Sequence, residues 1–136
     1  MSDRYAELKR LTDAFTATFN RHDLDACMAF FHDDAVYEEL HGPRREGKDA
    51  IRQAFEGLFS RKFGTMRFDE DDTFIDAAAG KVMASWHLLL TMDGKPVALA
   101  GLDLLHFDGA RLRRKLTYCK ARQPRYVEQP ADGARG

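Results

Sequence analysis

Asp103 is the residue whose surroundings could most change its chemistry. It lies in Pro96–Gly109, PVALAGLDLLHFDG, which reads as a strand. Alternation puts Val97, Leu99, Gly101, Asp103, Leu105 and Phe107 on one face, and Ala98, Ala100, Leu102, Leu104 and His106 on the other. Both faces are mostly apolar, which predicts a strand covered on both sides. Desolvation raises a carboxyl group's pKa. Asp103 is therefore expected to be a neutral acid that donates a hydrogen bond into an apolar pocket. A structural role, bonded to His87 or to a backbone amide of the next strand, is the competing expectation. His87 shares a mixed face with Met83 and Leu89 and reads as a pocket-wall residue.

Other clusters carry less chemistry. His32-Asp33-Asp34 and Asp69-Glu70-Asp71-Asp72 match neither a zinc spacing nor a calcium loop. They read as solvated carboxylates, and no metal is expected. Arg111-Leu112-Arg113-Arg114-Lys115 is the basic cluster. On a strand it reads as a solvated outer face or a dimer rim. Cys27 and Cys119 have neither metal-ligand nor redox spacing. They are expected as free, partly buried thiols in a reducing cytoplasm.

Elements must position these residues. A helix over residues 3–20, capped by Ser2 or Asp3, carries Tyr5, Leu8, Leu11, Phe15 and Phe19 as an apolar stripe. Asp23 caps a shorter helix that buries Leu24, Cys27, Met28 and Phe31. His32-Asp33-Asp34 is expected as a turn, residues 35–40 as a short strand, and 44–47 as a polar loop. A third helix spans 49–61, with Ile51, Phe55, Leu58 and Phe59 inward. Four strands follow: 65–76, 81–91, from Pro96 to the Asp108-Gly109 turn, and 111–122. Asp93-Gly94 gives the hairpin signal. Residues 1–122 form one domain, and 123–136 are expected as a mobile tail. Helices segregated from an antiparallel sheet define an α+β fold. A strongly curved sheet wrapped on a helix leaves an apolar cone suited to a small ligand.

Composition narrows the function. Twenty-one basic against 22 acidic residues leave a net charge of −1, so no global field favours nucleic acid or an anionic membrane. No apolar run approaches the ~20 residues of a membrane span, and no signal peptide is seen, so a cytoplasmic protein is expected.

Several segments together resemble the nuclear transport factor 2-like superfamily, which includes SnoaL-like polyketide cyclases and steroid delta-isomerases. They are the first helix, NRHDLDACMAFFHDDAVYEEL, GKDAIRQAFEGLF and the hairpins ending in DGARL. The resemblance covers roughly residues 5–121. It implies a cone-shaped, cystatin-like fold, with three N-terminal helices on a strongly curved mixed, mostly antiparallel sheet. It further implies a homodimer through the outer sheet face and no cofactor. The position matching the isomerases' general base is Glu39, and the one matching their protonated donor is Asp103. In those isomerases an apolar site holds the donor carboxylic acid neutral, and the resemblance implies the same for Asp103. The positions of two pocket tyrosines are held by Phe15 and Phe55. With Phe59, these are expected to line the pocket, and Tyr118, His87 and Tyr37 are candidates for the missing donor. The implied chemistry is enolisation of a ketone. A binding or accessory protein without turnover is the alternative. Epoxide hydrolysis ranks below both, because Ser85 and His87 stand where a charged relay would be needed.

Overall fold

The structure, a computed structural model, describes residues 3–40, 42–123 and 126–129. Its elements are α1 (Asp3–Asn20), α2 (Leu24–Met28), β1 (Phe31–Glu38), β2 (Arg44–Glu46), α3 (Lys48–Phe59), β3 (Arg67–Asp76), β4 (Lys81–Met92), β5 (Lys95–Asp108) and β6 (Arg111–Cys119). The six strands form one curved sheet in the order β2-β1-β6-β5-β4-β3. β1 and β6 pair in parallel, and the other neighbours are antiparallel. This is the expected α+β arrangement. Among the described residues no helix is long and apolar enough to cross a membrane.

The helices bury the stripes that their sequences carry. In α1, Leu8, Thr12, Phe15 and Phe19 recur at three- and four-residue spacing and are buried. The Asp23 carboxylate accepts the Ala26 N–H at 3.0 Å and caps α2. In α3, Ile51, Phe55 and Phe59 face the core. Phe15 and Phe55 are each 2% exposed. Phe15 meets Phe19, Phe30 and Phe31 edge-on at 5.2–5.7 Å. The Phe55 ring lies 4.8 Å from that of Tyr37. Edge-on and tilted rings at these spacings add specific attraction to the area they bury.

Several boundaries differ from expectation. His32-Asp33-Asp34 is strand, not turn, because β1 starts at Phe31 to pair with Leu112. The loop expected at 44–47 contains β2, which hydrogen-bonds back onto β1. Asp69–Asp72 lies inside β3, where the register shifts between Glu70 and Asp72. The expectation that β5 is covered on both sides is corrected. Asp103, Leu105 and Phe107 are buried, whereas Ala98 is exposed and Ala100, Leu102, Leu104 and His106 are half-buried. Helices cover one side of the sheet, so a single chain covers one face of β5. Of the expected tail, residues 123 and 126–129 carry no helix or strand. Residues 124, 125 and 130–136, and the Ser2 cap, lie outside the described residues.

Gly101 has a packing reason. A Cβ there would stand 2.5 Å from Cη2 of Trp86 and 2.5 Å from the Tyr118 carbonyl oxygen. The missing side chain lets the Trp86 indole lie across β5, directed toward Asp103.

Candidate functional site

Asp103 lies on the inner face of β5, opposite Ala84 of β4 and Thr117 of β6. It is 9% exposed. Its Oδ1 accepts from Lys115 Nζ at 3.0 Å and from Thr117 Oγ1 at 2.6 Å. Its Oδ2 accepts from Trp86 Nε1 at 3.1 Å. Lys115 Nζ also donates to Thr117 Oγ1 at 2.7 Å, so lysine, threonine and aspartate close a three-membered ring of hydrogen bonds. The expected neutral donor is thus an acceptor toward all three partners. The reason is a buried ammonium that the sequence pattern did not place there.

Lys115, expected on a solvated face, is 4% exposed. The correction comes from a β-bulge. Phe107 pairs with Leu112, but His106 pairs with Arg114, leaving Arg113 as the extra residue. Strict alternation from Leu112 would turn Arg114 inward; the bulge turns Lys115 and Thr117 inward instead. Burial opposes the Lys115 charge, yet the Asp103 carboxylate, together with Tyr37 and Cys27, outweighs it and holds the ammonium above its usual range. Lys115 Nζ also stands 4.5 Å from the Tyr37 ring centroid, a cation–π contact. Burial pushes the Tyr37 phenol up, opposed by Lys115.

Glu39 follows β1 directly. Its N–H donates to the Pro43 carbonyl at 2.9 Å, which closes the turn into β2. Its Oε2 accepts from Arg45 Nε at 2.6 Å, and its side chain is 16% exposed. Register pairs Tyr37 with Lys115 and Glu38 with Leu116, where the ladder ends, so position 39 lies one residue beyond the paired strand. Glu39 also contributes to the field at the Tyr37 phenol.

The expected site residues divide by face. Phe15 lines a cavity of about 20 Å³ that Asp103 and Lys115 also line, room for about one water. Phe55 and Phe59 pack in the aromatic core around it. His87 and Tyr118 are exposed on the opposite face of the sheet, where they line a trough of about 430 Å³ over Ala100 and Gly101. The alternation that turns Trp86 and Thr117 inward turns His87 and Tyr118 outward, so neither can serve Asp103. Cys27 and Cys119 are free, and burial pushes the Cys27 thiol up to about 12.

Helices on the concave side of a curved mixed sheet, with a polar cluster set into that side, define the nuclear transport factor 2-like class. The SnoaL-like domain family matches residues 12–115, and the chain belongs to that family. Among curated proteins none matches. Solved structures share the fold. One is an NTF2-like protein of unknown function from Mesorhizobium loti, at 20% identity, TM-score 0.74, covering 89% of this chain and 97% of that one. A candidate polyketide cyclase from Xanthomonas campestris pv. campestris gives 20% identity, TM-score 0.72 and coverage of 85% and 92%. An uncharacterized cystatin-fold protein from Novosphingobium aromaticivorans gives 23% identity, TM-score 0.65 and coverage of 82% and 96%.

Proposed function

We propose that this protein binds a small, largely apolar ketone on the concave face of its sheet and catalyses proton transfer next to the carbonyl. The observation that carries this reading is the Asp103–Lys115 pair, set among aromatic rings beside a cavity. An ammonium in an apolar site is a strong stabiliser of a developing enolate oxygen. In this reading Glu39 is the base that removes the α-proton and returns it to another carbon. Lys115 faces the oxygen. Asp103 and Thr117 position Lys115, and a protonated Tyr37 is the second donor. No cofactor is needed. The protein works as a cytoplasmic homodimer joined through the outer sheet face.

The test is deuterium exchange from D2O into a β,γ-unsaturated ketone, followed by NMR. The unmodified protein should catalyse exchange, and Glu39→Gln should lower the rate by about 10²–10⁴. Asp103→Asn should also lower it, by releasing Lys115. If Asp103→Asn alone abolishes exchange while Glu39→Gln does not, Asp103 is the base. The second reading is a binding or accessory protein without turnover. It is favoured by Phe15 and Phe55, which stand where the resemblance places tyrosines and offer no hydroxyl to a developing oxyanion. No exchange in the unmodified protein, combined with tight ketone binding, would establish it.

A further inference from the structure

We propose that the Asp103–Lys115 pair is reached through a gate between α1 and β3, formed by the Phe68 ring against Trp86 and latched by Asn20. This inference rests on reading that pair as the working site. A groove of about 250 Å³ runs between α1 and the β3–β4 edge of the sheet. Thr12, Thr16, Phe68, Ala84 and Trp86 line both this groove and the inner cavity, and the cavity adds Asp103 and Lys115. The Phe68 and Trp86 rings meet edge-on, centroids 5.0 Å apart, in the wall shared by the two spaces.

Phe68 can move because of where it sits. β3 is the last strand of the sheet and pairs with β4 alone. On its free side, the Asn20 side chain takes the place of a strand neighbour. Its Oδ1 accepts the Phe68 N–H at 2.7 Å, and its Nδ2 donates to the Phe68 carbonyl at 3.2 Å. Both bonds are exposed. Two residues earlier, His22 Nε2 accepts the Met66 N–H at 3.0 Å. Two residues later, the register shift between Glu70 and Asp72 breaks the ladder and gives the strand a place to bend. Residues 67–70 are therefore held by a side-chain latch at one end and bounded by a bulge at the other. Releasing the latch lets Phe68 swing outward and joins the groove to the cavity.

Trp86 reports the state of this gate directly. It is the chain's single tryptophan and is 6% exposed. Its fluorescence should resist acrylamide in the unmodified protein. Asn20→Ala removes both latch bonds and leaves the ring in place. One such bond is worth about fivefold in an opening equilibrium, so the quenching constant should rise at least about twofold. Phe68→Ala should raise it further. Phe74→Ala, on the outer face of the same strand, should leave it unchanged. Circular dichroism melts establish folding; if Phe68→Ala does not fold, Asn20→Ala and the Phe74→Ala control decide. A folded Asn20→Ala protein with an unaltered constant overturns the gate, as does Phe74→Ala raising it equally. The readout needs neither ligand nor turnover. Loss of the exchange reaction would defeat the proposed chemistry and leave the gate standing.

Discussion

Taking a carboxylate and an ammonium out of water costs several kcal/mol per ion, and their attraction repays this only with good geometry and further hydrogen bonds. Asp103 and Lys115 meet that condition. A carboxylate offers about four lone-pair sites; Lys115, Thr117 and Trp86 occupy three of Asp103's. Thr117 both accepts from Lys115 and donates to Asp103, so the pair shares a neutral bridge. Removing one partner strands the other charge. Asp103→Leu and Lys115→Met should each destabilise the fold by about 3–5 kcal/mol. Asp103→Leu combined with Lys115→Met should cost much less than the two single losses together, because no uncompensated charge remains. Urea denaturation of the four proteins closes the cycle. Additive losses would mean that the two groups act independently.

Three elements bring proton-holding groups to this core: α2 supplies Cys27, β1 Tyr37 and β6 Lys115. The pKa of each is raised in the folded protein, from 9.0 to about 12 for Cys27, and upward from 10.0 for Tyr37 and from 10.5 for Lys115. Above those starting values the unfolded chain has released protons that the folded chain still holds. Stability therefore falls as pH rises, starting near 9 with Cys27. The slope just above that point should be about 1 kcal/mol per pH unit, and Cys27→Ala should flatten it. Urea midpoints between about pH 8 and 10.5 check this; an identical slope in Cys27→Ala would refute it. The long helices α1 and α3 were largely legible in the sequence, since Leu8, Phe15 and Phe19, or Ile51, Phe55 and Phe59, repeat at helical spacing. Asp103 was legible too, as one acid in an apolar strand. Lys115 was not. Its parity depends on the extra residue Arg113, and nothing in RLRRKLTYC marks which residue is skipped. The nearest clue is Thr117, a small polar residue that alternates with Lys115. His87 and Tyr118 were drawn into the candidate site by residue type; alternation with Trp86 already sends His87 outward, whereas Tyr118 faces outward only because of the bulge at Arg113.

For the whole molecule, the outer sheet face is the surface a single chain leaves uncovered. Phe74, Met83, Leu104 and Leu116 pair in one cross-strand row across β3, β4, β5 and β6. Leu102 and Tyr118 pair beside them. Phe74 is 68% exposed and Tyr118 53%. Contiguous apolar surface of this kind marks an association site in soluble proteins. A two-fold axis over β5 would bring the same patch from each copy together. The proposed homodimer then requires that a charge at the middle of the row prevents pairing. Leu104→Glu puts one there without touching the inner face, because Leu104 sits half-buried on the outer side between Met83 and Leu116. Sedimentation should show a dimer for the unmodified chain and a monomer for Leu104→Glu. The dimer's melting temperature should rise with protein concentration, and the variant's should not. Acrylamide quenching of Trp86 should stay the same in both, since Trp86 faces the helices. A monomer at every concentration for the unmodified chain would refute the dimer and leave the outer face as an ordinary, partly apolar surface.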